Sequence, residues 1–235
     1  MKDALLFPNA RFGRRALAAL ALTLAALAIA MTAGPAAALP ILSEVYYDAP
    51  GTDDGQLFVE IAGLPGTPLD GLVIEGVNGS NGAVTHSITL TGAIGASGLF
   101  VLADGTAEGA TLVALADQIA NFDFQNGPDS VVLRDGASVL DALGYGAFAP
   151  DEFFAGEGAS APDVSPGTSL ARVFANVDTD DNAVDFMALT DPTPGTAEFA
   201  PVPEPGTTML LGLGLAGLAS VPDRRAARES KRGSL

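Results

Sequence analysis

The feature that most constrains this chain is the recurrence of Gly, Pro, Asn and Asp about every eight to twelve residues between residues 39 and 196. These residues separate short runs of Val, Ile, Leu, Phe and Tyr, and no long apolar run at helical spacing occurs here. Because the first group favours turns and the second favours strands, the pattern is typical of an all-β, antiparallel sandwich. The predicted strands are 41–47, 57–62, 72–77, 87–91, 99–103, 111–115, 130–134, 139–145, 170–174 and 185–188.

Two short segments carry hairpin signals. Asn78-Gly79 with Asn81-Gly82 separates two predicted strands, and Asp135-Gly136 separates two more. Asn-Gly and Asp-Gly pairs suit tight turns that need a positive φ. Residues 146–167 are rich in Gly, Ala, Pro and acids, so we predict a long surface loop there, either functional or disordered.

The distribution of charge excludes several function classes. Of 28 Asp and Glu residues, 25 lie between Leu39 and Pro222, where Arg134 and Arg172 are the only Lys or Arg residues. A region this acidic repels phosphate backbones, which argues against nucleic-acid binding. The chain also has no Cys and one His, which excludes disulfides, thiolate catalysis and Cys-type zinc sites and removes most His-based chemistry.

The first 38 residues are typical of a secretory signal peptide. A basic start to Arg15 precedes an apolar stretch over residues 16–31, which we expect to be the signal helix, and Ala36 and Ala38 occupy the −3 and −1 positions of a cut after Ala38. Signal peptidase is therefore an expected partner. An uncleaved membrane anchor is the alternative, and Arg14-Arg15 leaves open whether export uses the general or the twin-arginine route.

The other end carries three features in order: Pro203, Glu204 and Pro205, an apolar stretch over residues 207–221, and a basic tail that begins with Arg224 and Arg225. This order resembles the PEP-CTERM sorting signal of Gram-negative, exopolysaccharide-producing bacteria. The resemblance implies processing at the Pro-Glu-Pro motif by an exosortase-type membrane peptidase and delivery to the cell envelope, the outer surface or the extracellular matrix. We expect residues 198–206 to be a linker and residues 207–235 to hold a hydrophobic helix in the inner membrane at least transiently.

The body between these signals also resembles a known family. Five segments, followed by three near the end, occur in the order found in bacterial lamin-tail domains: 41–45, 58–61, 69–72, 98–102 and 127–135, then 168–172, 178–186 and 193–195. The resemblance covers about residues 40–197 and implies an immunoglobulin-like sandwich over residues 39–197. The chain departs from the family where Val73-Ile74 stands in place of the usual Trp, so the core must be packed differently there.

The densest set of oxygen ligands comprises Asp178, Asp180, Asp181, Asn182 and Asp185. Closely spaced carboxylates in a turn can converge on Ca²⁺, although Ala183 and Leu189 occupy positions that an EF-hand gives to Gly and Glu. The alternative is a solvated turn with Asx capping. A weaker candidate set is Asp48, Asp53 and Asp54.

The remaining candidates do not form an enzyme signature. His86 lacks an accompanying G-x-S-x-G element and is expected on an exposed strand. Glu44 and Glu60 either point inward, paired with Arg134 or Arg172, or outward into solvent. We therefore expect a non-catalytic exported module with a structural or adhesive role and no required cofactor. The alternatives are a Ca²⁺-dependent module that binds exopolysaccharide or surface proteins and a hydrolase that uses Asp and Glu pairs.

Overall fold

The computed structural model describes residues 39–201 together with Gly212 and Gly214, which are helical. Among these residues no helix has the length and apolar character needed to cross a membrane. The predicted signal helix, hydrophobic tail helix and basic tail lie outside the described residues, apart from the two glycines. So do the predicted processing residues Ala36, Ala38, Pro203, Glu204, Pro205, Arg224 and Arg225. The described residues through Glu198 form one unit, and those that follow belong to a second.

The body consists of two sheets and one short helix. The elements are β1 (Ile41–Tyr46), β2 (Phe58–Ala62), β3 (Val73–Asn78), β4 (Val84–Thr89), β5 (Leu99–Asp104), β6 (Gln118–Ala120), β7 (Asp129–Asp135), β8 (Ser138–Tyr145), β9 (Ser169–Arg172), α1 (Asn182–Asp185) and β10 (Phe186–Leu189). Six strands form one sheet in the order β10-β9-β1-β2-β5-β6, and four form the other in the order β4-β3-β7-β8. This architecture confirms the predicted β-sandwich, and both predicted hairpins join neighbouring strands.

Three details differ from the sequence predictions. The predicted strand at 111–115 is wrong: Leu112 and Leu115 are 74% and 69% exposed, and only Val113 of the three apolar side chains Leu112, Val113 and Leu115 packs against the main core. The strand forms instead at β6, which pairs in parallel with β5 and so departs from the expected antiparallel order. The helix α1 was not predicted; it occupies a single turn in the acidic segment, with the Asp181 side chain accepting a hydrogen bond from the Ala183 N–H at its start.

The main core lies between the sheets. Tyr47 and Tyr145 stack there with ring centroids 4.1 Å apart, and Phe122 and Phe124 lie 4.9 Å apart. Ile74, of the Val73-Ile74 pair where different core packing was expected, is fully buried in the same core. Phenylalanine and tyrosine rings therefore supply the large apolar groups in a core without Trp.

The face of the four-stranded sheet that is turned away from the main core is covered by the predicted long loop. Val132 and Ala142 form a second apolar cluster there with Ala155 of the loop packed against it. Phe148 and Phe154 of the loop contact each other edge to face at 5.0 Å. Gly144 leaves the space that the Phe154 ring occupies. The loop is therefore a packed layer of the fold.

Candidate functional site

Arg172 is the centre of a buried polar cluster. Its side chain is fully buried, and its Nη2 lies 2.8 and 2.9 Å from the two carboxylate oxygens of Asp141. Nη1 donates to Asp185 at 2.7 Å and to Asp178 at 3.3 Å, and Nε donates to the Leu42 carbonyl at 2.8 Å. The guanidinium also lies 4.6 Å from the centre of the Phe186 ring. We call Arg172, Asp141, Asp178 and Asp185 the arginine centre.

Two of the predicted calcium ligands are thus brought together around a cation supplied by the chain itself. Asp178 and Asp185 both bind Arg172, and Asp185 also accepts hydrogen bonds from the N–H and hydroxyl of Thr179. Burial raises the pKa of Asp185, but the Thr179 hydrogen bonds and Arg172 outweigh it and hold that pKa below its usual value. Asp185 is therefore ionised in this setting.

The other three predicted ligands have separate structural roles. Asn182 is fully buried; its Oδ1 accepts from the N–H groups of Gly144 and Glu157, and its Nδ2 donates to the Ala142 carbonyl. Asp181 caps α1, as the Asx-capping alternative anticipated. Asp180 has a φ of 56° and an exposed side chain. Asn182 thus holds the long loop against β8.

Sequence reasoning missed Asp141 and Glu157, which complete the surroundings of this cluster. Carboxylate oxygens of Asp141, Glu157 and Asp178 all lie within 4.8 Å of one another. Burial, together with the charges of Asp141 and Asp178, raises the pKa of Glu157 to about 8, and its Oε2 is buried without a hydrogen-bond partner among the described residues. One available signal was the scarcity of bases, because each of the two arginines in so acidic a body has many carboxylates available as partners.

Glu44 and Glu60 follow neither of their two predicted arrangements. They are directly paired across β1 and β2, they are 2% and 0% exposed, and neither binds either arginine of the described body. A register shift between Leu42 and Glu44 lets Leu42 and Val45 both enter the main core while Glu44 takes part in this pair. Arg134 binds Glu75 at 2.5 Å instead.

The two glutamates hold the segment 190–197, which we call the strap. Glu44 accepts hydrogen bonds from the Thr193 N–H at 3.0 Å, the Thr193 hydroxyl at 2.9 Å and the Ser169 hydroxyl at 2.5 Å. Glu60 accepts from the Gly195 N–H at 2.7 Å and from the Ser43 hydroxyl at 2.8 Å. Burial raises both pKa values, and the pKa of Glu60 reaches about 7. The strap is therefore fastened by two buried acids, one of which titrates near neutrality.

A third acidic area contains part of the weaker calcium set. Asp53 and Asp54 line a cavity of about 450 Å³ with Asp104 and Asp123. Asp48 is not among the lining residues, and Asp53 accepts a hydrogen bond from the Ala49 N–H at 2.7 Å. His86 is half-buried rather than exposed, and its Nε2 accepts from the Asp123 N–H at 3.3 Å.

Comparison with protein families matches residues 201–225 to the PEP-CTERM protein-sorting motif. No curated protein and no solved structure matches the chain. The motif indicates export through an exosortase-type sorting system, which recognises and processes such tails, and delivery to the cell envelope or surface. The C-terminal signal predicted from Pro203, Glu204 and Pro205 is thereby confirmed.

Proposed function

We propose that this chain is an exported, non-catalytic surface module: a lamin-tail-like, immunoglobulin-like sandwich with a structural or adhesive role in the envelope or extracellular matrix. The observation that carries the proposal is the position of the sorting motif directly after a folded β-body. The strap is fastened at Thr193 and Gly195, the Glu198 carbonyl accepts from the Ala175 N–H at 2.8 Å, and the motif begins at residue 201.

The settings of the acidic side chains in the arginine centre and beneath the strap support a non-catalytic role. Asp141, Asp178 and Asp185 are engaged by Arg172, and Glu44 and Glu60 are engaged by the strap. A glycosidase needs a pair of carboxyl groups that face a substrate cleft. These carboxylates instead bind groups of their own fold, which favours a structural role for them.

Export and processing can be tested on the full chain in its native host. We expect the processed protein to begin near Leu39 and to end near residues 203–205, as measured by intact mass and terminal peptides in membrane and medium fractions. A Glu204→Ala variant should keep residues 209–235 and accumulate in the membrane, whereas Glu229→Ala, in the basic tail, should be processed normally. Identical masses for all three proteins would contradict the assigned processing site.

The role itself needs a separate measurement. Cells that lack the protein should lose surface attachment or matrix cohesion, and the full chain should restore it. The exported protein should also show no turnover of glycan or phosphoester substrates above that of an Asp180→Ala/Asp181→Ala variant. Turnover above that control would replace the adhesive proposal with the hydrolase alternative.

A Ca²⁺-dependent binding module is the second candidate. The observation in its favour is the approach of the Asp141, Glu157 and Asp178 carboxylates to within 4.8 Å. Oxygen-rich groups of this kind are what Ca²⁺ prefers, although Arg172 already neutralises part of the charge. Millimolar Ca²⁺ should raise the melting temperature of the full chain and should do so less for Asp178→Asn. No shift with Ca²⁺ would remove this candidate.

A further inference from the structure

The outer face of the six-stranded sheet is covered unevenly. Glu44 on β1 is paired with Ala171 on β9, and Ala171 is paired with Met187 on β10, so these side chains follow one another across the same face. The strap covers the Glu44 end of this row. At the other end, Met187 is 49% exposed and Val173, just after β9, is 42% exposed. Beyond Glu44 the row is therefore apolar, and it continues past the strap onto open surface.

This open end is concave. A groove of about 380 Å³ has Ala171, Val173, Met187 and Leu189 along the strands and Thr193, Thr196 and Ala197 along the strap. A smaller depression of about 180 Å³ is also lined by Val173, together with Phe174, Val177 and Val184. Phe174 and Val184 are 40% and 62% exposed. Contiguous apolar surface of this kind marks interaction sites on soluble domains.

The strand at this edge lacks two of the usual protections against pairing, Pro and charged side chains. β10 is the last strand on its side of the sheet and reads Phe-Met-Ala-Leu, without Pro or a charged residue. An edge strand presents unpaired backbone N–H and C=O groups to any extended segment that lies beside it. Strand addition of this kind derives affinity from the backbone and specificity from pockets for alternate side chains.

Charge decides which kind of segment fits. In the described body, both arginines are engaged in ion pairs, Arg134 with Glu75 and Arg172 within the arginine centre. The groove has exposed Glu198 among its lining residues. A second copy of the body would bring the same negative charge, so the favoured occupant is basic.

We infer that the β10 edge and its groove bind an extended segment of another exported protein in which apolar residues alternate with Lys or Arg. The apolar side chains enter the groove over Met187 and Val173, and the basic side chains face the acidic surroundings. The inference rests on the adhesive role proposed above and gives that role a surface and a partner chemistry.

The test uses the full chain in mild detergent and a labelled peptide of alternating Lys and Val as the probe, with fluorescence anisotropy as the readout. We expect Met187→Asp to weaken binding at least about tenfold, because a charged group replaces an apolar contact. Val84→Asp is the matched control, since Val84 is 52% exposed on β4, the edge strand of the other sheet. It should leave binding unchanged, and a Glu/Val peptide should not bind the wild-type chain.

The Met187→Asp variant separates the groove from general charge attraction. Attraction to the acidic surface alone would keep or strengthen binding when an acid is added, and that result would overturn the inference. Absence of binding by the wild-type chain at about millimolar peptide would also overturn it. Either failure leaves the processing experiment with Glu204 unaffected, so the two proposals are distinguishable. Slower amide exchange in residues 186–189 on addition of the Lys/Val peptide would locate the contact at the edge strand.

Discussion

Asp141 and Arg172 lie face to face with both side chains fully excluded from solvent. Asp141, on β8 of the four-stranded sheet, also accepts a hydrogen bond from the Leu42 N–H on β1 at 2.6 Å, and Arg172 donates to the Leu42 carbonyl. The pair therefore links the two sheets at one edge of the sandwich. Removing two ions from water is costly, and the cost is offset here by the many hydrogen bonds that both groups make.

Replacement of Arg172 by Met should be among the most destabilising substitutions in the body. It leaves Asp141 and Asp185 buried without a counter-ion, which typically costs about 3–5 kcal/mol of the free energy of unfolding. Urea denaturation of the full chain measures this loss. Arg134→Met is the matched control, because the Arg134–Glu75 pair is partly exposed and should contribute about 1 kcal/mol or less. Equal losses in the two variants would contradict the central role of Arg172.

Glu60 should make stability depend on pH between about 4.5 and 7. Burial raises its pKa in the folded state from 4.5 to about 7, so the folded protein binds more protons than the unfolded one in this window. Its contribution to the free energy of unfolding should fall by about 3 kcal/mol as the pH rises from 4.5 to 7, and then level off.

The Glu60→Gln variant tests this contribution. Its amide can accept from the Gly195 N–H and donate to the Ser43 hydroxyl, and it stays neutral at every pH. Its free energy of unfolding, measured by urea denaturation at several pH values, should fall less than that of the wild type over this window. Asp135→Asn, in the exposed β7–β8 turn, should keep the wild-type profile. A Glu60→Gln profile parallel to the wild type would show that Glu60 does not titrate in this range.

The β-sandwich was predictable because turn residues and strand formers carry their signal locally. The Asn-Gly and Asp-Gly turns and the β1 and β8 segments needed no knowledge of distant contacts. The prediction of a strand at 111–115 was wrong because its apolar residues resemble those of a strand. Whether such a segment forms a strand depends on whether a neighbouring strand is present to pair with it. The strand at β6 depends on pairing with Leu102–Asp104, which sequence spacing does not reveal.

The candidate site was only partly predictable for a related reason. The acidic turn is predicted as a place where carboxylates converge, but the cation at its centre is Arg172, which ends β9 six residues before Asp178. Asp141 lies 31 residues from Arg172 along the chain. Glu157 belongs to a loop whose position depends on the buried Asn182 side chain. No local pattern links Asp141 or Glu157 to Arg172, since only the completed sandwich brings them together.

Gly144 should be intolerant of a side chain because of Phe154. A Cβ at Gly144 would overlap the Phe154 ring, so Gly144→Ala should cost about 1–3 kcal/mol of the free energy of unfolding. Adding Phe154→Ala should recover part of that loss, which a double-mutant cycle measures as a coupling energy. Gly79 gives the contrast: its Cβ would meet the backbone carbonyl of Pro128, so Phe148→Ala should not rescue Gly79→Ala. Rescue in both cycles, or in neither, would contradict the proposed packing.

Glu157 should weaken the fold as it ionises beside the arginine centre. Burial comes first among the causes that raise its pKa to about 8; Asp141, Asp178 and Asp180 add to it, and Arg172 opposes it. The folded state therefore holds the proton more tightly than the unfolded state between pH 4.5 and 8, and stability contributed by the neutral carboxyl is lost across that range. Glu157→Gln keeps a neutral group of the same shape. Its free energy of unfolding should match the wild type near pH 4.5 and exceed it at pH 8 and above.

The control for this prediction is Glu108→Gln, because Glu108 is exposed on a turn away from any buried pair. That variant should follow the wild-type stability at every pH. If Glu157→Gln were instead less stable than the wild type at pH 8, the ionised Glu157 would be making a favourable contact. The carboxylate group of Asp141, Glu157 and Asp178 would then have to be understood as a cation site, since only a positive partner stabilises a third negative charge at that position.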